Sequence, residues 1–134
     1  MVSATANEEA IRTDTLGGLH WLAILLAAVS GAIHLFLGVS AFVGSVIPPA
    51  LGIPFLLAGL GFLGAIALVF VGWRRPLVYL AGIPYTAVQI VLWYQFNYAG
   101  TGRAVTGAGP IEVADKVAQV VLILVLIDLY LRAR

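Results

Sequence analysis

The chain has 134 residues, of which 62% are hydrophobic and only 10% charged, with a formal net charge of +1. A soluble domain carries about a quarter of its residues as charges, so this composition belongs in a bilayer; with no basic stripe to neutralise phosphates, it excludes nucleic-acid binding. The absence of cysteine removes disulfides, thiol nucleophiles and thiolate metal sites together, leaving His, carboxylate, amide and aromatic groups for any chemistry.

Residues 1–15, with Glu8, Glu9 and Asp14 and little apolar material, read as a disordered tail. These acids outnumber Arg12, and the apolar run that follows exceeds a signal-peptide core, so it reads as a retained span despite the small residues Val39-Ser40-Ala41. That span, 17–43, predicts a two-faced helix. At about 100° per residue, His20, Ile24, Ala27, Gly31, His34, Gly38, Ala41 and Ser45 fall within roughly 60° of one another, a small and polar seam. Leu22, Leu25, Leu26, Val29, Ile33, Leu35 and Phe36 face the other way and suit lipid or bulky neighbours.

Pro48-Pro49 closes this helix and a second follows over 52–73. Its small face, Ala58, Gly61, Ala65 and Gly72, lies opposite Phe55 and Phe62, and the seams of the first two helices are expected to face each other. Arg74-Arg75-Pro76 marks a tight turn into a third helix, 77–98. It gathers Gly82, Tyr85, Thr86, Gln89, Trp93 and Asn97 in a band of about 120°, with a bend expected at Pro84. A glycine-rich loop, 99–109, leads to a fourth helix over 111–131. Pro110 and Glu112 suit its first turn, Glu112, Asp115, Lys116 and Gln119 share a face, and Asp128 reads as a solvated acid paired with Arg132 or Arg74.

The fold expected is therefore an all-α, integral membrane four-helix bundle, antiparallel, with no second domain. Arg12, Arg74, Arg75, Arg132 and Arg134 would share one side against Arg103 and Lys116 on the other, which predicts both termini on the cytoplasmic side of the cell membrane.

Depth suggests where a site would lie. At about 1.5 Å per residue from the outer helix ends, His34, Gln89 and Gln119 all sit roughly 12 to 14 Å deep, so three helices can bring polar side chains to one level. Unpartnered in hydrocarbon they would cost several kcal/mol, so they are expected to face inward. Either they only bond the helices together, or they form a small polar pocket open to the outer face, with Tyr85, Trp93 and Asn97 along its approach. His20 and His34, about 21 Å apart along one helix, have a spacing similar to that of paired haem ligands in the cytochrome b family, which makes them candidate metal ligands for haem b only. No His-x-x-x-His, no Ser-His-Asp set expected to converge and no phosphate loop point to an enzyme. No carboxylate is expected near the midplane, unlike the small multidrug transporters, which carry one in their first helix.

The run His20-Trp21-Leu22-Ala23-Ile24-Leu25-Leu26, then Gly31-Ala32-Ile33-His34-Leu35, with Gly82-Ile83-Pro84-Tyr85-Thr86-Ala87-Val88-Gln89-Ile90-Val91-Leu92-Trp93-Tyr94, resembles a group of small uncharacterised haloarchaeal membrane proteins. The resemblance implies a four-span protein of an archaeal cytoplasmic membrane and carries over no catalytic residue. The role expected is non-catalytic: a structural or accessory protein that self-associates as a homo-oligomer, or packs with a larger membrane complex, through Ala27, Gly31, Gly38, Ala58, Gly61 and Ala65. The alternative is a binding or carrier protein for a lipid, quinone or haem b, using His34, Tyr85, Gln89, Trp93 and Gln119.

Overall fold

The computed structural model describes residues 13–44 and 46–134, so most of the expected tail, with Arg12, and Ser45 of the seam lie outside the described residues. Four helices make up the molecule: α1 (Gly18–Phe42), α2 (Gly52–Phe70), α3 (Arg75–Asn97) and α4 (Pro110–Ala133), with no strand among the described residues. Short 3-10 turns at Thr13–Thr15, Pro49–Leu51 and Val105–Gly107 precede α1, α2 and α4. Three segments, Gly18–Phe42, Pro49–Phe70 and Arg75–Asn97, are long and apolar enough to cross a membrane.

Each boundary has a local cause. Gly17 precedes α1 and donates its N–H to the Nδ1 of His20, so the imidazole satisfies one of the donors orphaned at a helix start. Gly72 ends α2 in the left-handed region at φ +72°, and Trp73 N–H reaches back to Leu68 O at 2.9 Å while Gly72 N–H reaches Val69 O at 3.1 Å. That double bond pattern is a Schellman stop, which is why α2 ends before Gly72 and Gly72 belongs to no helix face. α3 continues unbroken through Pro84. Pro110 and Glu112 occupy the first turn of α4 as expected.

α1 packs extensively on α2 and α4, α3 packs on α4, and α2 and α3 touch little. The seam of α1 is its buried face: Ala27, Gly31, His34, Gly38 and Ala41 are buried, whereas Leu22, Leu25, Val29 and Phe36 are exposed. The matching face of α2 differs from the one expected. Gly59 meets α1, where a Cβ would stand 2.9 Å from Gly31 O, and Phe62 is buried beside it. Phe55 stacks on His34 with ring centroids 5.3 Å apart. Ala58 and Gly61 turn towards α3 instead: the Tyr85 hydroxyl donates to Ala58 O at 2.7 Å and lies where a Gly61 side chain would be. The reason is steric. The glycines of α1 leave a hollow that aromatic rings fill, and the small residues of α2 are needed where Tyr85 arrives.

The outside of the bundle is apolar on every helix. On α4, which carries five charged side chains, the exposed large residues are Ile111, Val113, Val117, Val120, Leu124, Ile127 and Leu131.

Gly59→Ala should lower stability by about 1–3 kcal/mol, since its Cβ would meet Leu35 Cγ at 2.7 Å and the Gly31 backbone. Gly64→Ala, with nothing within 4 Å, should not. Unfolding equilibria of the two variants in bicelles check the contrast.

Candidate functional site

Two features occupy the inside of the bundle, a polar network in the half away from the termini and an apolar chamber in the half that holds them. The network starts from Gln119, which is wholly buried. Its amide donates to Gln89 Oε1 at 3.0 Å and to Ser30 Oγ at 3.1 Å, and its carbonyl accepts from Lys116 Nζ at 2.7 Å. Ser30 donates to Asp115 Oδ1 at 2.7 Å, and Lys116 pairs with Asp115 Oδ2 at 2.7 Å. His34 Nδ1 donates to the Ser30 carbonyl at 2.8 Å and stands 3.7 Å from Asp115. A carbonyl can only accept, so the proton is on Nδ1. Gln89 donates in turn to Tyr85 O at 3.1 Å.

The structure thus brings His34, Gln89 and Gln119 to one level, joined through Ser30. Three members were not foreseen. Ser30 reads in the sequence as one small residue among many. Asp115 and Lys116 read as part of a polar face, yet Asp115 is only 5% exposed, so α4 holds a carboxylate buried inside the bundle, about one turn from Gln119. Ser, His and Asp also converge, contrary to expectation. They form no catalytic set, because the Ser30 proton goes to the carboxylate and the His34 Nδ1 is a donor to backbone. Ser30 is wholly buried as well.

At its end away from the termini the network is covered by side chains of α3 and α4. Lys116 lies over the Trp93 ring at 5.6 Å, Trp93 Nε1–H reaches Glu112 at 3.4 Å, and the Tyr98 hydroxyl donates to the same carboxylate at 2.6 Å. Trp93 and Glu112 are therefore a cover, and Asn97 bonds back to Trp93 O at 2.9 Å. The Tyr98 phenol titrates above its usual range, first because its hydroxyl donates to Glu112 and then because burial disfavours the phenolate.

The empty space lies beyond Tyr85 and Thr86, towards the termini. It amounts to about 60 Å³, room for more than one water molecule, and is open on one side. All four helices line it, with Ala23 and Ala27 from α1, Ala65 and Val69 from α2, Tyr79 and Thr86 from α3, and Leu122 and Leu129 from α4. The lining runs over seven or eight residues of each helix, about 10–12 Å. The weak α2–α3 contact is its least sealed wall. Tyr79 Oη and Thr86 Oγ1 are buried there with no hydrogen-bond partner among the described residues. Of the expected ligand-binding residues only Tyr85 lines this chamber; His20 lines it too. His34 is on the far side, with its ring packed against Phe55 and Phe62, at 5.3 and 6.1 Å. That leaves no room for a porphyrin beside His34. Among the described residues no three His, Asp or Glu side chains gather as a metal site. A chamber made by imperfect packing leaves no mark in the sequence, though Tyr79 and Thr86, seven residues apart on one face, were readable as a pair.

Two expectations follow. Asp115→Ala strands the Lys116 ammonium and should cost about 3–5 kcal/mol, whereas Asp115→Leu with Lys116→Met should recover most of it, as read by unfolding in bicelles. The folded Tyr98 pKa lies above the unfolded one, so its link to Glu112 is at full strength below about pH 10 and is lost as pH rises through the folded value. Trp93 emission, isolated by Trp21→Phe and Trp73→Phe, should change above that pH and lose part of the change in Tyr98→Phe.

Comparison with known proteins finds a match over residues 5–130 to the model of a family of unknown function, DUF7475, and the chain belongs to that family. No match is found among curated proteins or among solved structures.

Proposed function

We propose that this DUF7475 member is a four-span protein of the cytoplasmic membrane that binds a hydrophobic molecule inside its bundle, without catalysis. The observation that carries this reading is the four-helix chamber with two buried, unpartnered hydroxyls in an otherwise apolar lining. Well-packed interiors keep few voids larger than a water molecule and leave few buried polar groups unbonded, so a cavity with both features is suited to take in a guest.

The fourth span has support in how α4 disposes of its charges. Asp115 and Lys116 neutralise each other inward, and Asp128 bonds Arg132 at 2.9 Å near the helix end, as expected for that acid. The outward face left between Ile111 and Leu131 is apolar over about 30 Å, a bilayer core's thickness. Arg74, Arg75, Arg132 and Arg134 lie at the termini end, while Lys116 at the other end is consumed in a pair, which favours cytoplasmic termini.

Self-association through glycine seams has less support, because Gly31, Gly38 and Gly59 are spent on contacts within one chain and Gly61 on Tyr85. Of the ligands considered from the sequence, a lipid or a quinone suits the chamber and haem does not.

Ala65→Phe should fill the chamber and weaken binding of an apolar fluorescent probe about tenfold or more, with stability kept, in protein reconstituted into nanodiscs. Equal probe binding by the variant and the wild type would remove the reading.

A further inference from the structure

The chamber is sealed unevenly. α1 and α4 close their sides with buried residues, Ala23 and Ala27 on the first helix and Leu122, Leu126 and Leu129 on the last. On the remaining side the lining residues Ala65 and Ile66 of α2 and Val78 and Gly82 of α3 are only half-buried. A Cβ built on Gly82 would stand 3.0 Å from Leu126 of α4, with no atom of α2 within 4 Å. The two helices therefore stand apart at this height, and a gap joins the chamber to the outer surface of the bundle.

Two attachments bound the gap. At the turn, Arg75 Nε donates to Val69 O at 2.9 Å, beside the covalent link of residues 71–74. Further along α3, about 15 Å from Arg75, the Tyr85 hydroxyl donates to Ala58 O at 2.7 Å and lies 3.4 Å from Leu57 O. The first attachment is fixed by the turn; the second rests on one phenol. Its ring meets Phe62 edge-on at 5.3 Å, and Gly61 provides its seat, since a side chain there would take the place of the hydroxyl. One such bond favours shut over open by about three- to tenfold, little enough to break and re-form. Tyr85 is itself part of the lining, so swinging the phenol away enlarges the space. Shut, the chamber offers about 60 Å³, the liquid volume of about two waters; open, it gains the room that the ring had filled.

Around the gap the exposed residues are Leu63 and Leu68 on α2 and Leu77 and Leu80 on α3, so in a bilayer its rim meets acyl chains. Resting on the ligand-binding reading above, we infer that the gap between α2 and α3 is a side entrance from the bilayer to the chamber, that the Tyr85 phenol is its latch, and that the end of a lipid acyl chain is what enters. The rest of the lipid stays in the membrane, and only its tip needs room inside.

The test pairs a distance with a chemical label, on the full chain in nanodiscs. The sequence holds no cysteine, so Leu60→Cys and Val91→Cys, on exposed faces of α2 and α3, give two unique spin-label sites. Double electron–electron resonance should show longer distances in Tyr85→Phe, which lacks the hydroxyl, and in Gly61→Ala, whose methyl takes its seat. In nanodiscs of phosphatidylcholine with a diazirine in its acyl chain, photolysis should place adducts on the buried Leu126 and Leu129. Both variants should gain about threefold or more at these two residues, with the exposed Leu124 labelled equally in every form as the mark of a folded bundle. Unchanged distances in both variants refute the latch and leave the chamber reading intact. Longer distances with no more label on Leu126 and Leu129 refute the entrance, and no label there in any form also removes lipid as the guest.

Discussion

The Asp115 carboxylate, held between the Ser30 hydroxyl and the Lys116 ammonium, is the constraint from which the arrangement of α4 follows. A carboxylate in an apolar interior costs several kcal/mol unless each oxygen is bonded, and here each oxygen has one short bond. Meeting that requirement ties α4 to α1 at one height and turns the remaining charges of the helix to its ends. Gln119, one turn on, then reaches both Ser30 and Gln89 and sets α3 at the same height. The relative register of three helices thus depends on one acid, while α1 and α2 are joined by a different force, the close approach of Gly31 and Gly59.

Division of labour follows from that arrangement. Polar bonds fix the half of the bundle away from the termini and leave the other half to aliphatic side chains of modest size. Alanines on α1 and α2 face leucines on α4, and the volumes do not sum to a filled core. Tyr85 stands at the boundary: its carbonyl serves the network through Gln89, its hydroxyl serves α2, and its ring meets Phe62 edge-on at 5.3 Å.

Much of this was legible in the residues. The helical period of α1 separates its buried from its exposed face because eight positions repeat one angular sector, and counting along three helices sets His34, Gln89 and Gln119 level. Signals with two readings were harder. α2 has glycine or alanine on both sides, so periodicity alone does not say which side meets α1; the aromatic rings that fill the hollow decide it. Gly72 resembles a packing residue in the sequence but serves as a helix stop, a role visible only in its φ. Asp115 and Lys116 are adjacent charges, and adjacency suggests solvent; only Ser30 on another helix makes burial affordable for both. The chamber is a shortfall of volume among four helices, a property of their sum that no local pattern records.

The scarcity of contact between α2 and α3 bears on how the molecule yields. These two helices are joined by the short turn 71–74, yet few hydrogen bonds link them, those of the Tyr85 phenol to the α2 backbone and of Arg75 Nε to Val69 O. α1 and α4, by contrast, are clamped by the buried hydrogen bonds of Ser30 with Asp115 and Gln119. Mechanically the bundle is a stiff frame with one compliant panel, and the motion that swings α2 away from α3 should have the largest amplitude. Stiffness is therefore distributed by chemistry rather than by helix length.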